Sequence, residues 1–379
     1  MSGGGRRVAI VGVGYSTVGR DTGLSLKQLI AQGAKAAMAD GGIGQADIDG
    51  VAVHAFPPHF VPAYECGALL GLPSLTWTSG SIEGPAFLSA GIHAAAAVAS
   101  GTADVVLALR PMLRLGATGP APGARAAGGR QFLEPFGAGR PAQWAGMIKQ
   151  RMMSEFGWGE EAFGRQMVAQ REFAALNPDA LLRDRITLDD YMNTRYVAKP
   201  LRLLDCDYPV DSCGAVIFTT EERARDFRQK PVLVESWSFG TSAESDFELA
   251  EDMTRTSSFS AAADMWARTS LTPQDVQVAG LYDGFSPITL NWMEALGLCG
   301  RGEASDFVAE GNTSLGGRLP VNCDGGATNV GRVHGVNHVA EVVRQLRGTS
   351  GDRQRPGAEV GVAANSIAAF TACMLLSAN

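Results

Sequence analysis

The sequence predicts an α/β protein made of two similar halves, and three features carry that expectation. Short, almost uninterrupted apolar runs that end in glycine or a turn recur along the 379 residues, as buried strands do. Segments with leucine, valine and alanine at helical spacing follow them. The order strand, apolar helix, strand then appears a second time in the later part of the chain. That repetition points to a duplicated unit, with a mainly mixed sheet in each half and helices on both sheet faces. We place the halves at 1–229 and 230–379.

Taken in order, residues 7–14 (RVAIVGVG) read as a strand and 25–40 (SLKQLIAQGAKAAMAD) as a helix. Residues 45–53 (QADIDGVAV) turn and return to a strand. Residues 84–100 (GPAFLSAGIHAAAAVAS) form a helix that is apolar almost all round and so requires burial on several sides. Residues 104–109 (DVVLAL) are the next strand. From about 111 to 200 the pattern changes. A Gly-, Ala-, Pro- and Arg-rich stretch and helices at 142–156 and 160–176 read as an excursion inserted into the first half. Residues 214–219 (GAVIFT) resume the strands, followed by helical EERARDF. In the second half we expect strands at 230–238, 276–282 and 359–364. Helices are expected at 257–266, 285–298 and 336–347, with a last helix that carries Cys373.

Composition narrows the function. Hydrophobic residues are 45% and charged residues 19%, enough to bury a sizeable core. A net charge of -7 without any compact basic run argues against nucleic-acid or anionic-membrane binding. No apolar run approaches the roughly 18 residues of a membrane span, and the N-terminus lacks the apolar stretch of a secretory signal. The cysteines Cys66, Cys206, Cys213, Cys299, Cys323 and Cys373 are scattered, with no C-x-x-C, so neither a zinc site nor a disulfide framework is expected. The chain reads as a cytoplasmic protein.

Four constellations could carry chemistry. In YDGF at 282–285 a strand gives way to a helix, where α/β proteins meet ligands. Tyr282 there can donate to an oxyanion or act as acid or base, and Asp283 can orient it; the plain alternative is a packing tyrosine with Asp283 as a helix cap. NCDGG at 322–326 and GRVHG at 331–335 form a glycine-rich loop before a helix. Gly326 and Gly335 permit close backbone approach to a ligand, the helix start offers N–H groups, and His334 can relay a proton, its neutral form favoured by the helix dipole. The same loop could equally be folded tightly for turn geometry. DCDYPVDSCGA at 205–215 offers carboxylates that more simply shape a loop. Arg332, Arg344 and Arg347 could meet phosphates, although a solvated face explains the last two as well. His93 reads as a core residue, and the pair His54 and His59 brackets a Pro-Pro turn without a metal pattern.

Together these segments resemble the thiolase superfamily over nearly the full chain. VAIVGVG, GPAFLSAGIHAAAAVASGTADVVLAL and DCDYPVDSCGAVIF look like a thiolase's first half. YDGF, EALGLCGRGEASDFVAEG, LPVNCDGG and GRVHGVNHVAEVVRQLRG look like its second. The last is the most specific and resembles the lipid-transfer-protein branch, including the steroid side-chain-cleaving aldolases. The resemblance implies a five-layered αβαβα fold and a homodimer. For the aldolases it also implies a DUF35-type partner, an OB-fold with a zinc ribbon, giving a heterotetramer.

Departures from the thiolase pattern decide the expected chemistry. By the resemblance Ser81 stands at the nucleophilic cysteine position, in Ser81-Ile-Glu-Gly84. The region of the second cysteine is Ala364-Asn365-Ser366-Ile367-Ala368, with neither a cysteine nor a glycine pair, Arg332 replaces the histidine of the G-H-P motif, and Tyr282 takes the oxyanion-hole position. A serine has no accessible thiolate. The resulting expectation is a retro-aldol lyase acting on a 3-hydroxyacyl-CoA with a steroid or other bulky acyl part. Tyr282, His334 and Asp283 would be catalytic, and Ser81, Arg332, Gly326, Gly335 and Asn365 would bind substrate. The chain would carry no metal and no cofactor of its own, with CoA belonging to the substrate and any zinc to the partner. A non-catalytic acyl-CoA or lipid carrier, and an acyl-transfer or condensing enzyme using Ser81, are the alternatives.

Overall fold

The computed structural model describes residues 5–55, 60–81, 85–114, 127, 131–241, 252–367 and 370–378, with the side chains of Ser366 and Ile367 left out. The first half runs β1 (Val8–Tyr15), α1 (Leu26–Gly41), β2 (Gly50–His54), α2 (Ala63–Leu70), β3 (Trp77–Ser81), α3 (Phe87–Ser100) and β4 (Val105–Met112). An insertion follows, with α4 (Pro141–Phe156), α5 (Glu160–Leu176), α6 (Leu188–Asn193), β5 (Tyr196–Ala198) and β6 (Leu201–Arg202). The chain returns through β7 (Ser212–Thr220), α7 (Glu221–Ala224), β8 (Val232–Thr241), α8 (Ser258–Trp266) and β9 (Val278–Leu281). It ends with α9 (Ser286–Ala295), α10 (Ala304–Ala309), α11 (Val336–Arg347), β10 (Val360–Ile367) and β11 (Phe370–Ala378).

Strand order β3-β2-β4-β7-β1-β8-β11-β10-β9 makes the duplication visible. In the first half β2 is parallel to β3 and β4, and β7 runs antiparallel between β4 and β1. The second half repeats this with β10 parallel to β9 and β11 antiparallel between β10 and β8. The halves meet through a short antiparallel pairing of β1 with β8, at Val8, Ala9 and Ile10.

Side chains alternate across the strands and divide the core into layers. On β4, Val106 and Ala108 join α3 and α11 in a cluster that also holds Val278, Ala363 and Met374 from the other half. Val105, Leu107 and Leu109 point the opposite way, toward α1 and α2. Leu281, Val362 and Leu375 face α8, α9 and the insertion. Helices α3 and α11 thus lie between two sheet halves, each covered outside by more helices, which is the expected five-layered αβαβα arrangement. Local signals fit it: Ser25 closes a capping box with Gln28 at the start of α1, and Gly42 ends that helix in a left-handed conformation.

Two expectations fail for one reason, burial on all sides. The last segment, FTACMLLSA, is strand β11 rather than a helix; both its faces are covered, so it lacks the alternation that marks a half-exposed strand. Helix α11 has no solvated face either. Arg347 pairs with Asp40 at 2.9 Å, and Arg344 lies over the Tyr15 ring at 5.3 Å. His93 is half-buried on α3 and bonds the Ser79 hydroxyl at 3.1 Å, while His59 lies outside the described residues.

The insertion is fastened to the second half by a fully buried cluster. Lys149 of α4 reaches Asp205 at 2.7 Å and the Tyr191 hydroxyl at 2.8 Å. Tyr191 and Ser286, at the start of α9, each donate to the other Asp205 oxygen at 2.6 Å. Removing one member of a buried pair strands the other charge, so Lys149→Met is expected to cost about 3–5 kcal/mol in urea unfolding. A loss below about 1 kcal/mol, the range of exposed ion pairs, would show that the cluster does not fasten the insertion.

Candidate active site

The site is assembled where β9 ends. Tyr282 continues the ladder by donating its N–H to Ala364 O at 2.9 Å. The loop from 320 to 335 is laid alongside by Asn322, whose side-chain amide imitates a peptide unit. It accepts from Leu281 N at 2.7 Å and donates to Leu281 O at 2.8 Å. Asn322 has φ 56°, in the left-handed region that asparagine tolerates better than most residues.

Asp283 then pins the loop. Its fully buried carboxylate accepts from Ala327 N (2.8 Å), Thr328 N (3.1 Å), Thr328 Oγ1 (3.0 Å), Gln170 Nε2 (2.7 Å) and His338 Nε2 (2.8 Å). Burial alone would raise its pKa, but these bonds, His338 first, hold the carboxyl below its usual range. None of the bonds reaches the Tyr282 hydroxyl. The expected direct orientation of Tyr282 by Asp283 is therefore corrected to an indirect one, through His338, whose ring stands edge-on to Tyr282 at 5.9 Å. Gly326 is likewise a support: a side chain there would collide with Asp283 and Gln170.

Tyr282 and His334, expected to share one pocket, do pack together, with ring centroids 5.8 Å apart in a T-shaped contact. Among the described residues nothing hydrogen-bonds the Tyr282 hydroxyl. His334 has φ 57°, and its carbonyl accepts from Phe87 N at the start of α3 at 3.1 Å. Arg110, buried on β4, donates to His334 Nδ1 through Nε at 3.0 Å and Nη2 at 2.7 Å. Gly335 (φ 98°) leaves room for Asn365, whose buried amide nitrogen and oxygen have no partner among the described residues. The helix start at Gly335 is closed by no side-chain cap.

Segment 205–211 adds to this cluster. Asp205 and Asp211 hold loops, as expected, but Asp207 is delivered to the site: its N–H donates to Gly284 O at 3.1 Å and its carboxylate lies 3.7 Å from Arg332. Ser81 ends β3 and contacts Ser89 Oγ at 2.6 Å and His54 Nδ1 at 3.3 Å. The His54 carbonyl accepts from Arg110 at 3.4 Å, which links Ser81 to the His334 side. Sequence reasoning missed Arg110 and His338, and it named His54 and the carboxylates of 205–215 without placing His54 or Asp207 at the site. Arg110 had a readable signal, a lone charge inside the apolar run VVLALRPM.

The electrostatics favour neutral rings. Burial, then Arg110 and Arg332, push His334 well below the usual imidazole range. Burial, then the Asp207 charge, push the Tyr282 phenol upward. Burial raises Asp207 to about 6 against the pull of Arg332. Thiolate chemistry is disfavoured throughout: burial lifts Cys66 and Cys299 to about 12 and the remaining cysteines upward as well. Among the described residues no group of three or more His, Cys, Asp or Glu is placed to hold a metal ion.

A five-layered αβαβα core with loops converging at the strand ends defines a thiolase-like protein. Residues 240–376 match the family described as "Thiolase C-terminal domain-like". The chain is 38% identical to a 17-hydroxy-3-oxo-4-pregnene-20-carboxyl-CoA lyase of Mycobacterium tuberculosis, over 91% of this chain and 92% of that one. It is 37% identical to a steroid side-chain-cleaving aldolase of Thermomonospora curvata, over 90% of each. The solved structure of an "Ltp2-ChsH2(DUF35) aldolase" superposes with TM-score 0.90 and 34% identity, over 98% of both chains. The chain belongs to the thiolase superfamily, in its branch of side-chain-cleaving aldolases. No helix among the described residues is long and apolar enough to cross a membrane.

Gly284 tests how closely Tyr282 is placed. A Cβ there would stand 2.6 Å from the Tyr282 ring and 2.7 Å from its hydroxyl, and its backbone needs no positive φ. Gly284→Ala should therefore fold, displace the tyrosine and lower kcat by about 10²-fold. Wild-type kcat in a folded variant would mean that the position of this ring does not matter to turnover.

Proposed function

We propose that this chain cleaves a 3-hydroxyacyl-CoA with a bulky acyl part, of the steroid class named for its relatives, by a retro-aldol reaction. The β-hydroxyl loses its proton and the oxygen's electrons form the new carbonyl. The Cα–Cβ bond breaks and its electrons pass into a thioester enolate, which is protonated at Cα to release the shortened acyl-CoA. The observation that carries this reading is the Tyr282 hydroxyl, without a partner among the described residues, packed against a neutral His334 in a site with no reactive thiol. Tyr282 carries the proton at the hydroxyl. A neutral phenol is not a standing base, so Tyr282 passes its own proton on as it takes the substrate's, and we assign the receiving role to the Asp207 carboxylate, whose charge acts on the phenol. His334 serves the thioester oxygen. Arg332 and Asn365 meet substrate, and the backbone at Gly335 approaches it.

A DUF35-type subunit and a second copy of this chain complete the assembly as a heterotetramer. The pairing of Ltp2 with a DUF35 protein in the similar aldolase structure supports the first. The second is supported by β3, an edge strand without charged residues, open to pairing.

Incubation with a 17-hydroxy steroid acyl-CoA, with and without the DUF35-type partner, should release a ketone and a shortened acyl-CoA. Binding without cleavage under both conditions would instead identify a carrier. Tyr282→Phe should lower kcat by about 10²–10³-fold, the typical effect of one oxyanion-type donor. Asp207 is ionised above about 6, so kcat/KM should fall as pH drops through that value, and Asp207→Asn should remove this acid limb along with most activity. An unchanged limb in that variant would take Asp207 out of the proton path.

A further inference from the structure

We infer that Arg110 is a positioning residue that holds His334 as the neutral, Nε2-protonated imidazole, so that His334 acts as a hydrogen-bond donor to the substrate's thioester oxygen and not as a base. A guanidinium has only N–H donors and no acceptor. Two of them, Nε at 3.0 Å and Nη2 at 2.7 Å, converge on Nδ1. That nitrogen must present its lone pair, which leaves Nε2 to carry the proton.

The arrangement is rigid on both sides. Arg110 is 1% exposed, and its Nη1 donates to Pro111 O at 2.7 Å and His54 O at 3.4 Å. His334 is held by its left-handed backbone and by the Phe87 N–H on its carbonyl. The titratable and charged groups that face the ring come from every packed element: Arg110 from β4, Arg332 from the loop, His54 from β2, His338 at the start of α11, and Tyr282 beyond β9. Both cations oppose a second proton on the ring. Burial and Arg332 lower Arg110 itself to about 9, so it remains a cation at neutral pH. A cation behind Nδ1 also polarises the Nε2–H bond, which strengthens it as a donor to an oxygen that gains charge in the enolate. Sequence alone leaves the roles of Tyr282 and His334 exchangeable; Arg110 removes that freedom.

The catalytic consequence rests on the lyase reading, but the tautomer does not. Nitrogen-15 NMR of the full chain labelled at histidine, with His334 assigned by its loss in His334→Asn, reads the ring directly. We expect Nδ1 as unprotonated acceptor and Nε2 as protonated around neutral pH. In Arg110→Gln the cation is gone, the tautomers should mix, and the imidazole pKa should rise toward its ordinary value of about 6.5. Turnover should fall about 10²-fold with KM nearly unchanged, and a new acid limb should appear as the ring protonates. Arg110→Lys, whose ammonium still donates, should restore part of both readouts. An unprotonated Nε2 in the wild type overturns the inference, and so does a wild-type tautomer and pH profile in Arg110→Gln. If that variant does not fold, the wild-type spectrum decides alone. A chain with the expected tautomer and no cleavage would sink the lyase reading and leave the Arg110 assignment standing.

Discussion

The buried Asp283 carboxylate is the constraint on which the site depends. Taking a carboxylate out of water costs several kcal/mol unless its lone pairs are satisfied. Here five donors from three separate parts of the chain meet it: α5, the loop after 322 and α11. Because the residue follows Tyr282 directly, satisfying the charge also fixes where β9 ends, where the glycine loop passes and where His338 stands beside the Tyr282 ring. Gly326 and Gly284 are small because the carboxylate and the ring occupy the space a side chain would take.

Given that frame, the two halves supply different members of the site. The second half brings Tyr282, the loop with Arg332 and His334, and Asn365 on β10. The first half brings Arg110 and His54 across the central helical layer, and segment 205–211 adds Asp207. A thiolase-like scaffold thereby brings a phenol, an imidazole whose proton affinity burial and two cations lower, and a buried guanidinium together at its strand ends. In the proposed reaction those groups move protons and stabilise an oxyanion without a covalent bond to substrate.

Much of this is legible in the sequence. The strand and helix order and the insertion follow from apolar periodicity, polar residues flanked by glycine mark the junctions that hold Tyr282 and His334, and the convergence of those two is what the resemblance to the thiolase superfamily implies. What is not legible shares a cause. Arg110 and His334 are 224 positions apart, and no local pattern announces their contact. Asp207 sits among turn-forming residues and reads like its neighbours Asp205 and Asp211, which do hold loops. Adjacency suggests that Asp283 serves Tyr282, whereas consecutive side chains in an extended segment diverge. Strand β11 reads as a helix because a strand covered on both faces has no alternation to show.

Mass spectrometry of a single turnover in D2O, following the protein and the released acyl-CoA together, tests the account most directly. If an enolate is formed and protonated without covalent attachment, the shortened acyl-CoA carries one deuterium at Cα and the protein keeps its unmodified mass throughout. An acyl adduct on Ser81 or on a cysteine, with no deuterium at Cα, would contradict it.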